Sequence, residues 1–253
     1  MLIVDIGNTD IVIGVCEDDR LIHTFRIPSL KNEDQSFFAY QIINELFEAN
    51  IDSNTIQLIV ISSVVPELNT ILDKAFQGIS NAHRILVRPG IHPKIKVNIE
   101  NQEELGSDIY CNAVAAFTEF QKACIVVDFG TALTVTGIDD SGEIQGVAIA
   151  PGLKTAVKSL FSNTAQLPEV PLELPISALG KNTVTAIQSG VLYGYEGMVK
   201  NLTEKFKSEL GPHAKTYVTG GLSSIIPGIK EFTTKTDINL TLRGLIEIGK
   251  LYL

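Results

Sequence analysis

Residues 123–144 read ACIVVDFGTALTVTGIDDSGEI, and residues 2–21 read LIVDIGNTDIVIGVCEDDRL. Each stretch runs from a β-branched segment through an Asp-x-Gly turn to a second β-branched segment. An acidic turn then leads into a third. That is the pattern of a β-meander. A single shift of 123 residues takes Asp5 to Asp128, Gly7 to Gly130, Gly14 to Gly137 and Leu21 to Ile144. One aspartate, two glycines and the apolar pattern agree at one shift, which indicates an internal duplication. Taken singly, each turn reads as an ordinary Asx-Gly hairpin turn. Only the repetition argues for a shared task.

The rest of the chain extends the duplication. Residues 35–48, QSFFAYQIINELFE, place Phe37, Phe38, Ile42, Ile43 and Leu46 at helical spacing. LIVISSVV at 58–65 reads as a buried strand stopped by Pro66, 67–77 as a helix, and 85–87 as a strand. From 112, NAVAAFTEFQK is Ala-rich and helical, with Phe117 and Phe120 read as core. YVTGGLSSIIPGI at 217–229 takes the place in the second half that LIVISSVVPEL takes in the first. Two similar β-β-β-α-β units are therefore expected, over residues 1–117 and 118–253. Gln166–Pro175, with three prolines, reads as an extended loop.

Composition narrows the function classes. The chain has 253 residues, 45% of them hydrophobic and 19% charged, enough to bury a core. Its net charge of −9 argues against nucleic-acid binding, which needs clustered Lys and Arg. The exposed-looking Lys200, Lys205 and Lys207 form a solvated helix face and no such patch. A small anionic ligand needs only a local nest of donors and is not excluded. Cys16, Cys111 and Cys124 share no short spacing, so a zinc site is not expected, and an odd, unpatterned set fits a reducing compartment. No secretory leader and no run near the ~20 apolar residues of a membrane helix is visible. The expectation is a cytoplasmic protein without membrane partners.

The turns suggest what the ligand is. A glycine just past a strand lets a ligand approach backbone N–H groups closely. In Asp5-Ile6-Gly7-Asn8-Thr9 the side chains of Asn8 and Thr9 add donors. A carboxylate beside phosphate donors is repulsive unless a cation such as Mg²⁺ lies between them. Asp128-Phe129-Gly130-Thr131-Ala132 repeats the same parts, and the pair would grip a polyphosphate from two sides. Gly220-Gly221 lets a flat ring lie against backbone, or is a plain turn. GxxxxGK[ST] and GxGxxG are both absent, so nucleotide binding would be of neither the P-loop nor the Rossmann kind. Asp108, in Gly106-Ser107-Asp108 before the 112 helix, is either a helix cap or a general base toward a substrate hydroxyl. Spacing alone favours the cap. His23, His83, His92 and His213 fall in no motif and read as surface or packing residues. Cys111 reads as a small buried hydrophobe.

The ordered set DIGNT, SSVVP, GSD…NAVAA, VVDFGTA, IAPGL, LGKNTVTAIQSG and TGG, over about residues 1–246, resembles the type III pantothenate kinases. The resemblance implies the fold of the acetate and sugar kinase, heat-shock ATPase and actin superfamily. That is an α/β architecture of two duplicated RNase H-like domains, mixed β-sheets flanked by helices, with a nucleotide cleft between them. It implies ATP phosphates around Asp5, Ile6, Gly7, Asn8, Thr9, Asp10, Ile11, Val12 and Thr131. It further implies Mg²⁺ near Asp5, directly or through water, and a monovalent cation, K⁺ or NH₄⁺, on Asp128. Asp108 would be the base for pantothenate. Ile99, Gly106, Ser107, Ile109 and Thr183 would line the acceptor site, which the family builds at a homodimer interface.

Two motifs depart from the family on the acceptor side, by three changes. The usual Gly-Ala-Asp-Arg reads here Gly106-Ser107-Asp108-Ile109, which removes a fixed cation. The usual Tyr-Asp-Asn-Pro reads Ile99-Glu100-Asn101-Gln102, which removes an aromatic and a turn-fixing proline. Lys154, Lys158 or Lys181 is available to replace the lost Arg. On the nucleotide side, Asp10 adds one negative charge near the phosphates. The departures leave three expectations open: a rebuilt pantothenate kinase, a kinase for another small alcohol, or a nucleotide-binding regulator without turnover. Retention of Asp108, Asp128 and Thr183 favours the first.

Overall fold

A computed structural model describes residues 1–162 and 170–253. The strands are β1 Leu2–Ile6, β2 Asp10–Glu17, β3 Arg20–Pro28, β4 Leu58–Ser63, β5 His83–Leu86, β6 Lys96–Val97, β7 Cys124–Phe129, β8 Ala132–Ile138, β9 Glu143–Pro151, β10 Lys215–Thr219 and β11 Lys235–Thr236. The helices are α1 Gln35–Glu48, α2 Pro66–Ile79, α3 Ser107–Phe120, α4 Leu153–Ser162, α5 Thr183–Leu210, α6 Ile229–Phe232 and α7 Leu240–Gly249. One sheet has the order β3-β2-β1-β4-β5; the other has β9-β8-β7-β10-β11, with β6 added beyond β9. In both sheets the meander is antiparallel, and the strand returning beside its first member is parallel. The duplication is therefore a duplication of topology. These are mixed sheets flanked by helices, an α/β fold.

Register shows where the two copies differ. Asp5 lies opposite Val12 in the first hairpin, but Asp128 lies opposite Thr134 in the second. The shift of 123 residues therefore holds for β1 onto β7 and for β3 onto β9 and slips by one on the middle strand. The sequence match of Gly14 to Gly137 is thus a coincidence of position. Gly137 takes the place of Val15, on the face packed by α5, where a Cβ would press on Phe206 and Leu210. A Cβ at Gly14 would meet Ile3 and Leu21 instead. A one-residue slip moves a side chain to the other face of a strand.

Two compact units result: Met1–Lys96 with Glu100–Thr118 and Leu240–Leu253, and Val97–Ile99 with Glu119–Asn239. The division expected at 117/118 differs in two places. The C-terminal segment belongs with the first unit, because α7 lays Leu242, Leu245, Ile246 and Ile248 into it, packing on β1 and β4. Gly244 permits this approach, since any Cβ there would collide with the Cys111 carbonyl of α3. Thr241 also donates to Asn112 Oδ1 at 2.9 Å. Residues 97–99 join the second unit through β6 and the bond from Asn98 N–H to the Ile144 carbonyl, 2.9 Å.

Local signals explain the elements. Asp34 caps α1, accepting from Ser36 N and Phe37 N at 2.9 and 3.0 Å. Phe38, Ile42 and Leu46 then form the buried stripe, while Ile43, read as part of it, is 46% exposed because it lies a quarter-turn round the helix. Pro66 opens α2, where its missing N–H costs nothing. Asp18 and Asp19 take positive φ in the acidic turn, as tight hairpins require. Helix α3 starts at Ser107, five residues earlier than the Ala-rich run suggests, so Asp108 stands inside its first turn. Of the expected loop Gln166–Pro175, residues 166–169 lie outside the described residues. No described helix is long and apolar enough to cross a membrane.

Candidate functional site

In the first unit, Asp5 is the penultimate residue of β1, with its side chain half-buried. Gly7 N–H donates to the Asp10 carbonyl at 3.0 Å, and a Cβ on Gly7 would stand 3.0 Å from that same oxygen. The turn therefore needs a residue without a side chain at this point. Asn8 and Thr9 are exposed. Ile6 and Ile11 point wholly into the core, so at these positions only backbone is available to a ligand; Asp10 and Val12 are half-buried. The Ser29 hydroxyl donates to Gly7 O at 2.6 Å and the Ser29 N–H to Thr9 O at 2.9 Å.

The same unit carries Asp108. Its Oδ1 accepts the N–H of Ile109 at 2.7 Å. Burial pushes the carboxyl above its ordinary range, and that backbone bond only partly offsets the effect. Gly106 is bare because a Cβ there would fall on the Asp108 carboxylate. Ser107, which departs from the family's usual Ala, is buried and occupied. Its hydroxyl accepts Ser63 N–H at 2.8 Å, donates to Ser63 O at 3.0 Å and lies 3.0 Å from the Ser62 hydroxyl. Ser62 in turn lies opposite Asp5 in the β1–β4 register. A chain of hydroxyls thus ties the helix bearing Asp108 to the strand beside Asp5. Cys111 is fully buried next to it, with its thiol pushed up by burial and by Asp5 and Asp108, which fits a packing role.

In the second unit, Asp128 is the penultimate residue of β7 and half-buried, and Gly130 and Thr131 are exposed. Gly130 N–H donates to Ala132 O at 3.1 Å. Thr131 O receives two donors, Gly152 N at 3.1 Å and Thr155 Oγ1 at 2.9 Å. Gly220, at φ 92°, sits against the Phe129 backbone, where a Cβ would come within 2.6 Å. Gly221 faces open space. The double glycine therefore has two jobs, one against the turn and one leaving a surface bare.

The predicted acceptor residues are divided between the units. Ile109 is buried in α3, and Ile99 is half-buried in the second unit. Thr183 begins α5, whose cap is a reciprocal pair: Asn182 Oδ1 accepts Thr185 N–H at 2.9 Å, and Thr185 Oγ1 accepts Asn182 N–H. Beside it lies an open groove of about 750 Å³ lined by Leu160, Gly180, Lys181, Thr183, Ile187 and Val191. Lys154, Lys158 and Lys181 are all exposed. No group of three or more metal-ligating side chains occurs among the described residues. Any cation held by Asp5 or Asp128 would therefore take most of its ligands from elsewhere, as Mg²⁺ does with phosphate oxygens and water. Sequence reasoning missed Ser29, Ser62, Gly152 and Thr155. The 123-residue shift does pair Ser29 with Gly152, a signal that could have drawn attention to both.

The family model for type III pantothenate kinase matches residues 1–205. A type III pantothenate kinase of Dehalococcoides mccartyi is 36% identical, over 97% of this chain and 93% of that protein. Among solved structures, a conserved candidate Baf-family transcriptional activator from Campylobacter jejuni aligns with TM-score 0.62 and 21% identity, covering 100% of this chain and 98% of the other. MreB 5 of Spiroplasma citri, bound to AMPPNP, aligns with TM-score 0.56 and 12% identity over 99% and 96% of the two chains. The last two show a shared fold alone. With the family model covering most of the chain and a relative at 36% identity over nearly all of it, this protein belongs to the type III pantothenate kinase family.

Proposed function

We propose that this protein transfers the γ-phosphoryl group of ATP to the primary hydroxyl of pantothenate. The product is 4′-phosphopantothenate, the first intermediate of coenzyme A synthesis. The observation that carries this reading is Asp108: a half-buried carboxylate with a raised pKa, held in the first turn of α3. Asp108 takes the hydroxyl proton, the freed oxygen bonds to the γ-phosphorus, and the bond to the β–γ bridging oxygen breaks with its electron pair leaving on ADP. Backbone N–H groups of the Gly7 turn, with Asn8 and Thr9, hold phosphate oxygens, and Thr131 contributes its hydroxyl. Gly221 leaves a bare surface for the base. When bound, Mg²⁺ would neutralise charge on the phosphates, with Asp5 holding it directly or through water. Asp128 would hold K⁺ or NH₄⁺.

The acceptor side uses Gly106, Ser107, Ile109, Ile99 and Thr183. Ile109 supplies packing in place of charge. A homodimer that completes this side is supported by apolar residues left exposed in the segment leading into α5, Ile176 and Leu179 among them. A cytoplasmic setting is supported by three buried, unpaired cysteines.

A coupled ADP-release assay with Mg-ATP and KCl, with and without pantothenate, tests the reading. Release should depend on pantothenate and fall when choline replaces K⁺. ATP binding without pantothenate-dependent release would overturn it in favour of another acceptor or a regulator.

A further inference from the structure

The two Gly turns are held from behind in different ways. In the first, one residue reaches both ends of the turn: Ser29 Oγ donates to Gly7 O at 2.6 Å and Ser29 N to Thr9 O at 2.9 Å. These bonds occupy the two carbonyls that flank Asn8. With them fixed, the side chains of Asn8 and Thr9 are left facing solvent. Ser29 directly follows β3, the strand that the duplication maps onto β9, and its counterpart is Gly152. Gly152 N makes the matching backbone bond, to Thr131 O at 3.1 Å.

Gly152 cannot carry the matching hydroxyl. The second turn is shorter by one residue and lies closer, so any Cβ on Gly152 would collide with the carbonyls of Gly130 and Thr131. A hydroxyl comes instead from one turn further on, and it reaches not Gly130 O, the counterpart of Gly7 O, but the carbonyl that Gly152 N already holds. Thr155, in the first turn of α4, donates its Oγ1 to Thr131 O at 2.9 Å.

We propose that Ser29 is the positioning residue of the first nucleotide turn and that Thr155 replaces it in the second. Each holds a carbonyl so that the outward donors of its turn stay aimed at phosphate. This rests on reading the two turns as the nucleotide site. Neither residue touches the reacting atoms; both act through the turn they brace.

The test compares Ser29→Ala, Ser29→Thr and Thr155→Val with the full-length protein. The affinity of Mg-AMPPNP is read by calorimetry, and KM for each substrate in the ADP-release assay. Ser29→Ala should weaken nucleotide binding about tenfold, the effect of one lost hydrogen bond. KM for pantothenate should hold, and amide exchange at residues 7–10 should quicken in the nucleotide-free protein. Ser29→Thr, which keeps the hydroxyl, should restore both. Thr155→Val should weaken nucleotide binding about threefold, because Gly152 N remains on Thr131 O. Unchanged nucleotide affinity in Ser29→Ala, or equal losses toward both substrates, would overturn the inference. If the wild-type protein itself bound no nucleotide, the kinase reading would fall first. Unchanged exchange at 7–10 in Ser29→Ala would then overturn the brace as well.

Discussion

The first Gly turn closes its hydrogen bond over four residues, Gly7 to Asp10, and the second over three, Gly130 to Ala132. Both place a half-buried aspartate at a strand end and exposed donors beyond a glycine. The aspartate, the glycine and one exposed threonine survive the change in length; Asn8 has no counterpart, and the bracing behind the turn differs too. A shorter turn draws the following strand's end nearer, and at that distance a side chain no longer fits. The two turns have thus kept part of what faces outward and rebuilt what lies behind. The first unit also carries Asp108, with its hydroxyl chain from Ser107 through Ser62 to the strand beside Asp5.

The largest test of this asymmetry is Asp108→Asn. As the general base it should lower kcat about a thousandfold, while Mg-AMPPNP binding survives. Loss of nucleotide binding in step with kcat would contradict the assignment. Two pH dependences of opposite sign accompany it. With Asp108 proposed as the base, activity should fall as pH drops through a midpoint above the ordinary carboxylate range. Stability runs the other way. A carboxyl raised in the folded state stabilises fully below its unfolded value, about 3.9, and that stabilisation is lost as pH rises through the folded value. Asp108→Asn should therefore melt higher than wild type at pH 7, with the difference closing below about pH 4.

Next comes an exchange between the turns. Gly152→Ser copies the first unit's residue into the second, where its Cβ meets two carbonyls. A loss of about 3 kcal/mol in unfolding free energy is expected, measured by denaturant titration. A mild effect would show that the second turn has room to spare and that length does not decide the bracing. The smallest effect belongs to His92, buried in the first unit, whose pKa is lowered chiefly by burial. Its stabilisation is present above the unfolded value, about 6.5, and lost as pH falls through the lower folded value. Between pH 7 and 5, His92→Gln should lose less stability than wild type, by under about 1 kcal/mol. Equal slopes would assign the acid sensitivity elsewhere.

Much of this was legible without coordinates. β-Branched runs, Asp-x-Gly turns and an acidic hairpin turn are local signals, and their repetition announced two sheets of one topology. The Gly106-Ser107-Asp108 motif was legible too, although α3 swallowed it because Ser107 is anchored by strand β4 rather than by anything adjacent in sequence. The match of Gly14 to Gly137 misled, since a shift that fits on both sides of a turn says nothing about the turn's own length.

The sequence alone determined the longer strands, the duplication, the family and the residue types at each turn, because these depend on neighbours within a few positions; the two-residue β6 and β11 carried no such signal. Only the tertiary structure decided the one-residue slip of β8, the return of α7 to the first unit and the bracing of the turns by Ser29 and Thr155. Those contacts join residues 22, 24 and 129 positions apart. No periodicity reports such distances; they are set by how far a turn of given length carries one strand from the next.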